Sequence, residues 1–177
     1  MQVYPIGIAS GVRIVATIGV YGWTSELFLD ALGRADVGLL LDVRQRRGVR
    51  GSEYAWANAK RLQAALEAAG IQYRHHPDLA PTTELRRLQY AEDERLGVGK
   101  RSRNKLAPAY RERYTKEILD QADLGTIVAE LPAGSATALL CVERDPEACH
   151  RSLIAERLEA EHNVAIRHLR PGASAPA

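Results

Sequence analysis

The 177-residue chain has 46% hydrophobic and 26% charged residues, the balance of an ordinary soluble globular domain long enough to bury one sizeable core. A net charge of +2 argues against a generally polyanion-binding surface, although Arg outnumbers Lys 20 to 4 and only clusters of it are informative. Two cysteines are too few for a disulfide framework, no apolar run approaches the ~20 residues of a membrane span, and no secretory signal is expected at the start, so a reducing cytoplasm is the expected compartment.

Met1 to Gly11 reads as an irregular lead-in. Val12 to Ile18 is short and rich in β-branched residues, as a buried strand should be. Gly19 and Gly22 break it, Thr24 is a plausible N-cap, and Leu27, Phe28, Ala31 and Leu32 make a helical face up to Gly33. Val37 to Val43 is a second strand, followed by the basic loop Arg44 to Arg50. Tyr54 to Ala69 is expected to form one helix, ended by Gly70, and Ile71 to His76 a third strand. After a turn at Pro77 to Pro81, helices are expected over Thr83 to Leu96, Pro108 to Gln121 and Asp123 to Leu131, with the basic stretch Lys100 to Lys105 between the first two. Thr137 to Val142 is a fourth strand. Asp145 caps a helix with Pro146 at its first position, running to about Glu161. Val164 to Leu169 is the last strand, and residues 171–177 are expected to be a disordered tail. Alternating apolar strands and helices predict a single α/β domain over residues 1–170. The expected architecture is three layers, with a mostly parallel sheet of about five strands and helices on both faces.

In such a sheet, ligands bind beyond the carboxyl ends of the strands. Those ends carry Tyr21 and Gly22, then Asp42 and Arg44, then His75 and His76, then Cys141 and Glu143 followed by Cys149, His150 and Arg151. Polar and reactive residues collect at one edge while the strand interiors are apolar. The glycine turn lacks G-x-G-x-x-G and no P-loop pattern is present, so no dinucleotide cofactor is expected.

Several segments carry a family resemblance: Thr17-Ile-Gly-Val-Tyr-Gly-Trp23, Leu40-Leu-Asp-Val-Arg44, His76-Pro-Asp-Leu79, and Leu139-Leu-Cys-Val-Glu143 with Cys149-His-Arg-Ser152. Through them the chain resembles the domain-of-unknown-function 488 family over about Ile14 to Leu169. The resemblance implies a compact α/β domain and no particular reaction. Gln45-Arg46-Arg47-Gly48 stands where a proline-containing basic loop would be expected, and Leu79-Ala80-Pro81 where Leu-Gly-Gly would be.

Cys149, at a helix start beside His150 and Arg151, has the surroundings that lower a thiol pKa, and the apolar alternative of a small buried side chain weighs about equally. Cys141 lies between Leu140 and Val142 and reads as core. His150 suits a general acid or base, and Asp42 a base or an orienting partner. Arg44 and Arg151 are expected to hold an anion, with Tyr21, Gly22, His76 and Glu143 as further substrate contacts. Adjacent helix positions diverge by ~100°, so Cys149, His150 and Arg151 should not all face one atom. Zinc on Cys141, Cys149, His150 and a histidine from the third strand is a minor reading, because C-x7-C-H matches no common module. No cofactor is therefore predicted.

The function expected from these residues is an enzyme acting on a phosphate-bearing substrate, a nucleotide or nucleic acid. Two alternatives stand beside it: a non-catalytic nucleic-acid-binding module and a thiol redox protein. No membrane partner is expected.

Overall fold

A computed structural model describes residues 11–172; the lead-in before Gly11 and the tail beyond Gly172 lie outside the described residues. Five strands form one all-parallel sheet: β1 (Arg13–Ile18), β2 (Val37–Asp42), β3 (Gln72–His75), β4 (Ala136–Leu140) and β5 (Val164–His168), in the order β3-β2-β4-β1-β5. The α/β expectation and all five strands are met. β4, threaded last but one, lies at the centre between β1 and β2. The chain's winding reverses there, so the carboxyl end of β4 is where a crevice should open.

Helices cover both faces because each strand alternates two apolar faces. Leu39, Leu41, Val43, Leu139 and Cys141 pack against α3 (Thr83–Leu96), α4 (Pro108–Glu117), α5 (Leu124–Ala129) and α6 (His150–His162). Ala16, Ile18, Leu40, Ala138 and Leu140 pack against α1 (Ser25–Arg34) and α2 (Ala59–Ala68). Among the described residues no helix is long and apolar enough to cross a membrane.

Three expected helices are interrupted. Ser52–Ala57 is a 3-10 turn and α2 starts only after Asn58, whose extended backbone and side-chain oxygen, 2.8 Å from the Val49 N–H, tie down the basic loop. The helix from Pro108 stops at Glu117, and Leu119–Gln121 continue as a 3-10 turn. The most consequential break follows Asp145. Pro146–Ala148 form a 3-10 turn, Cys149 is extended at φ −140° and ψ 144°, and α6 begins at His150. Asp145 starts this turn as expected but makes no side-chain capping bond.

Gly19 is required by close approach. A Cβ there would lie 1.9 Å from the Glu143 carbonyl oxygen, so the loops after β1 and β4 can run against each other only through glycine. The N–H groups of Val20 and Tyr21 then both reach the Val142 carbonyl at 3.0 Å, which fixes Tyr21 beside the end of β4.

Candidate active site

A cavity of about 670 Å³ opens beyond the carboxyl ends of β2 and β4, roofed by α3, the 98–106 segment and the start of α4. Its floor is chemical. Cys141, one residue past β4, points to the α3–α6 side in phase with Leu139. Cys149 reaches the same point because its backbone is extended, and His150 follows as the first residue of α6. The 100° divergence of neighbouring helical positions therefore separates His150 from Arg151 but not Cys149 from His150. His150 Nδ1 lies 3.7 Å from Cys141 Sγ and 3.8 Å from Cys149 Sγ. His150 Nε2 lies 2.9 Å from the Val43 carbonyl oxygen. A carbonyl can only accept, so Nε2 carries the proton and Nδ1 faces the sulfurs. Glu143 Oε2 lies 3.4 Å from Cys141 Sγ.

Burial sets the protonation preferences. It would raise the Cys149 thiol, but the hydrogen bond with Cys141 and the positive charges of Arg151 and His150 outweigh it and hold this thiol well below its ordinary range. Burial pushes Cys141 well above that range, helped by Cys149 and Glu143. Glu143 is raised by burial and by Cys149, against the pull of Lys100 and Arg103. Burial opposes charging of His150, yet Cys149 and Glu143 overcome it and raise this histidine.

The walls are cationic. Arg44, Arg46, Arg50, Arg86, Arg87, Lys100 and Arg103 line the cavity, and Glu143 is the one carboxylate among its lining residues. Two of these cations are already occupied. Arg44 forms a two-pronged ion pair with Asp42, both bonds 2.8 Å. Arg103 is paired with Asp93, which also accepts from Gln89 at 2.9 Å, while Gln89 accepts from the Ala107 N–H at 2.8 Å. Arg103 reaches on to Glu143 at 3.4 Å, so this buried relay anchors the roof to the floor. By contrast, among the described residues no carboxylate pairs with Arg46, Arg50, Arg86 or Arg87. Arg86 Nε is buried without a hydrogen-bond partner. Tyr21 and Tyr90 stand at the rim, and Arg101 lies 5.2 Å from the ring centres of both Tyr21 and Tyr54.

The expected site residues thus separate. Cys149, His150, Glu143 and Tyr21 meet at the cavity, and Cys141, read from sequence as core, joins them. Asp42 does not: it is in phase with Leu40, faces the α1–α2 side, and is engaged by Arg44 and by the Tyr73 hydroxyl at 2.6 Å. Arg151 is wholly buried and absent from the cavity wall. Its guanidinium donates to the carbonyls of Glu143 at 2.6 Å and Arg144 at 3.0 Å, and reaches Thr17 Oγ1 at 3.4 Å. It is a strut that clips the loop after β4 to β1. Gly22 adopts a left-handed conformation at φ +91°, with its N–H 3.2 Å from the Tyr54 hydroxyl, and lies packed beside Pro171 rather than on the cavity wall. His75 bonds the Arg44 carbonyl at 2.8 Å, and His76 stands 3.6 Å from Asp78, so neither joins the cysteines.

Sequence reasoning missed the contribution of α3, which supplies Arg86, Arg87, Gln89 and Tyr90 to the cavity. A signal was present: Leu85, Gln89 and Asp93 share one helix face, so an inward apolar stripe continues into two polar residues.

The family model described as Domain of unknown function DUF488 matches residues 24–158. No curated protein and no solved structure matches the chain.

Proposed function

The chain belongs to the family Domain of unknown function DUF488, and from the cavity we propose that it is an enzyme acting on a phosphate-bearing substrate, a nucleotide or nucleic-acid segment. One observation carries the reading. The cavity gathers Lys100 and arginines that have no carboxylate partner among the described residues around a floor of two thiols and an imidazole, with a single carboxylate. Cations without a neutralising carboxylate in a partly enclosed cavity favour a multiply charged anion, and Arg offers planar two-point contacts to phosphate. Arg46, Arg50, Arg86, Arg87 and Lys100 hold the anion, a role that Arg44 and Arg151 are too fully engaged to take. Tyr21 and Tyr90 at the rim offer ring faces to a base. Cys149 and His150 meet the reacting end of the substrate, and Glu143, beside Cys141, is placed to take up or release a proton. The reducing cytoplasm remains the compartment in which two free thiols would persist.

The test is a turnover screen against nucleotides, phosphomonoesters and short single-stranded oligonucleotides, followed by substitution. Cys149→Ser should abolish turnover of any substrate found, while Arg50→Ala should raise KM with a smaller effect on kcat. Undiminished turnover by Cys149→Ser would remove the site assignment. Salt-dependent oligonucleotide binding that survives Cys149→Ser and His150→Ala, without turnover of any probe, would instead support the binding-module alternative.

A further inference from the structure

The cluster at the cavity floor has a geometry that substrate binding alone does not require. The donor atoms of Cys141, Cys149 and His150 all lie within 4.8 Å of one another. A tetrahedral zinc site with metal–sulfur bonds near 2.3 Å and metal–nitrogen bonds near 2.0–2.1 Å has a sulfur-to-nitrogen edge of about 3.6 Å. The two such edges here are 3.7 and 3.8 Å. Both sulfur-to-nitrogen edges therefore stand within a few tenths of an ångström of the spacing a metal would impose, and the third edge is at most 4.8 Å.

The surroundings fit as well. His150 is anchored through Nε2 to the Val43 carbonyl, which leaves Nδ1 on the side of both sulfurs. Such a bond from the outer ring nitrogen to a carbonyl is how metal-binding histidines are oriented. His150 is further held by the Tyr114 ring at 5.4 Å between centres. The adjacency of Cys149 and His150, awkward within a regular helix, is relieved because Cys149 is extended and only His150 is helical.

We propose that Cys141, Cys149 and His150 bind one zinc-class divalent cation, with its fourth coordination position open to the cavity beside Glu143. Two thiolates and an imidazole select zinc over magnesium, calcium or manganese, which prefer oxygen. Three protein ligands and an open position make a catalytic rather than a structural type of site. Glu143, 3.4 Å from Cys141 Sγ, is the carboxylate among the cavity-lining residues and would accept a hydrogen bond from a metal-bound water. Ion binding stands on the cluster alone; that the open position faces substrate rests on the reading of the cavity given above.

The experiment is a titration of the chelator-stripped, reduced full chain with cobalt(II), followed by zinc competition. The expected result is one equivalent of cobalt bound, with a thiolate-to-cobalt charge-transfer band and the visible bands of a tetrahedral ion, both removed by one equivalent of zinc. Cys141→Ser and Cys149→Ser should each abolish the charge-transfer band or cut it by about half, and His150→Ala should weaken binding. Arg86→Ala/Arg87→Ala should leave cobalt binding unchanged even where it destroys phosphate binding, which separates failure of the metal site from failure of the anion reading. Should a serine variant not fold, protection decides in the unaltered protein: zinc should shield both thiols from an alkylating reagent. Absence of a thiolate-to-cobalt band, thiols alkylated equally with and without zinc, or a Cys141–Cys149 disulfide formed in preference to metal binding would each overturn the proposal.

Discussion

Two sets of arginines stand within one small region, and they do opposite things. Arg44 and Arg151 are among the largest fully buried side chains of the protein, and every direction in which their guanidinium groups reach meets an acceptor of the chain itself. Arg46, Arg50, Arg86 and Arg87 face the cavity with no carboxylate partner among the described residues. The first set spends its hydrogen bonds on holding loops to strands. The second retains its capacity for something that arrives. Proximity of an arginine to a crevice is therefore a poor guide to ligand binding; the state of its partners is a better one.

That contrast predicts a graded series of stabilities under urea denaturation. Arg151→Met should cost the most, about 3–5 kcal/mol, because it strands the buried Glu143 carbonyl and removes the bond to the part-buried Arg144 carbonyl. A loss below 1 kcal/mol would mean that Arg151 is not a strut. Arg44→Met should cost about 3 kcal/mol by leaving Asp42 buried with only the Tyr73 hydroxyl and the Arg44 N–H to satisfy it. Adding Asp42→Leu should recover much of that loss, since removing both members of a buried pair is far milder than removing one. No recovery would show that the pair has a further role.

Tyr114→Phe should cost about 1 kcal/mol near neutrality, by removing the 2.6 Å bond from its hydroxyl to the Leu79 carbonyl. Burial pushes the Tyr114 phenol well above its ordinary value. Its contribution is therefore complete below the unfolded value of about 10 and is lost as pH rises through and beyond it. The Tyr114→Phe cost should shrink in alkali, and a cost that grows there would contradict the sign. Arg86→Ala and Arg87→Ala should be nearly silent, within about 0.5 kcal/mol, because neither leaves a buried carboxylate behind. A larger loss from either would move that residue into the structural set.

Much of this architecture was readable from the residues. The five strands are apolar and short, the breakers fall between them, and parallel order follows from alternation with helices. The meeting of Tyr21, Glu143, Cys149 and His150 followed from their places at carboxyl ends. What escaped depended on facts that no local pattern carries. Asp42 points away from the cysteines because it is in phase with Leu40, and which helices cover that face is settled by packing across the sheet. Asp145 and Pro146 correctly signal a helical start, but nothing in the sequence marks the halt at Ala148 that leaves Cys149 extended and turns its thiol toward Cys141. Arg86 and Arg87 come from a helix that starts well after the basic loop ending at Arg50 and well before Cys141, and only the tertiary fold brings them in.

If the cavity arginines, not the buried ones, are kept for an anion, a small polyphosphate should bind through them. Calorimetric titration with pyrophosphate tests it most directly, comparing the unaltered chain with Arg86→Ala/Arg87→Ala. Saturable, salt-sensitive binding to the unaltered chain is expected, with a loss of about tenfold or more in the variant at unchanged stability. Equal affinity in both proteins, or no binding to the unaltered chain, would contradict it.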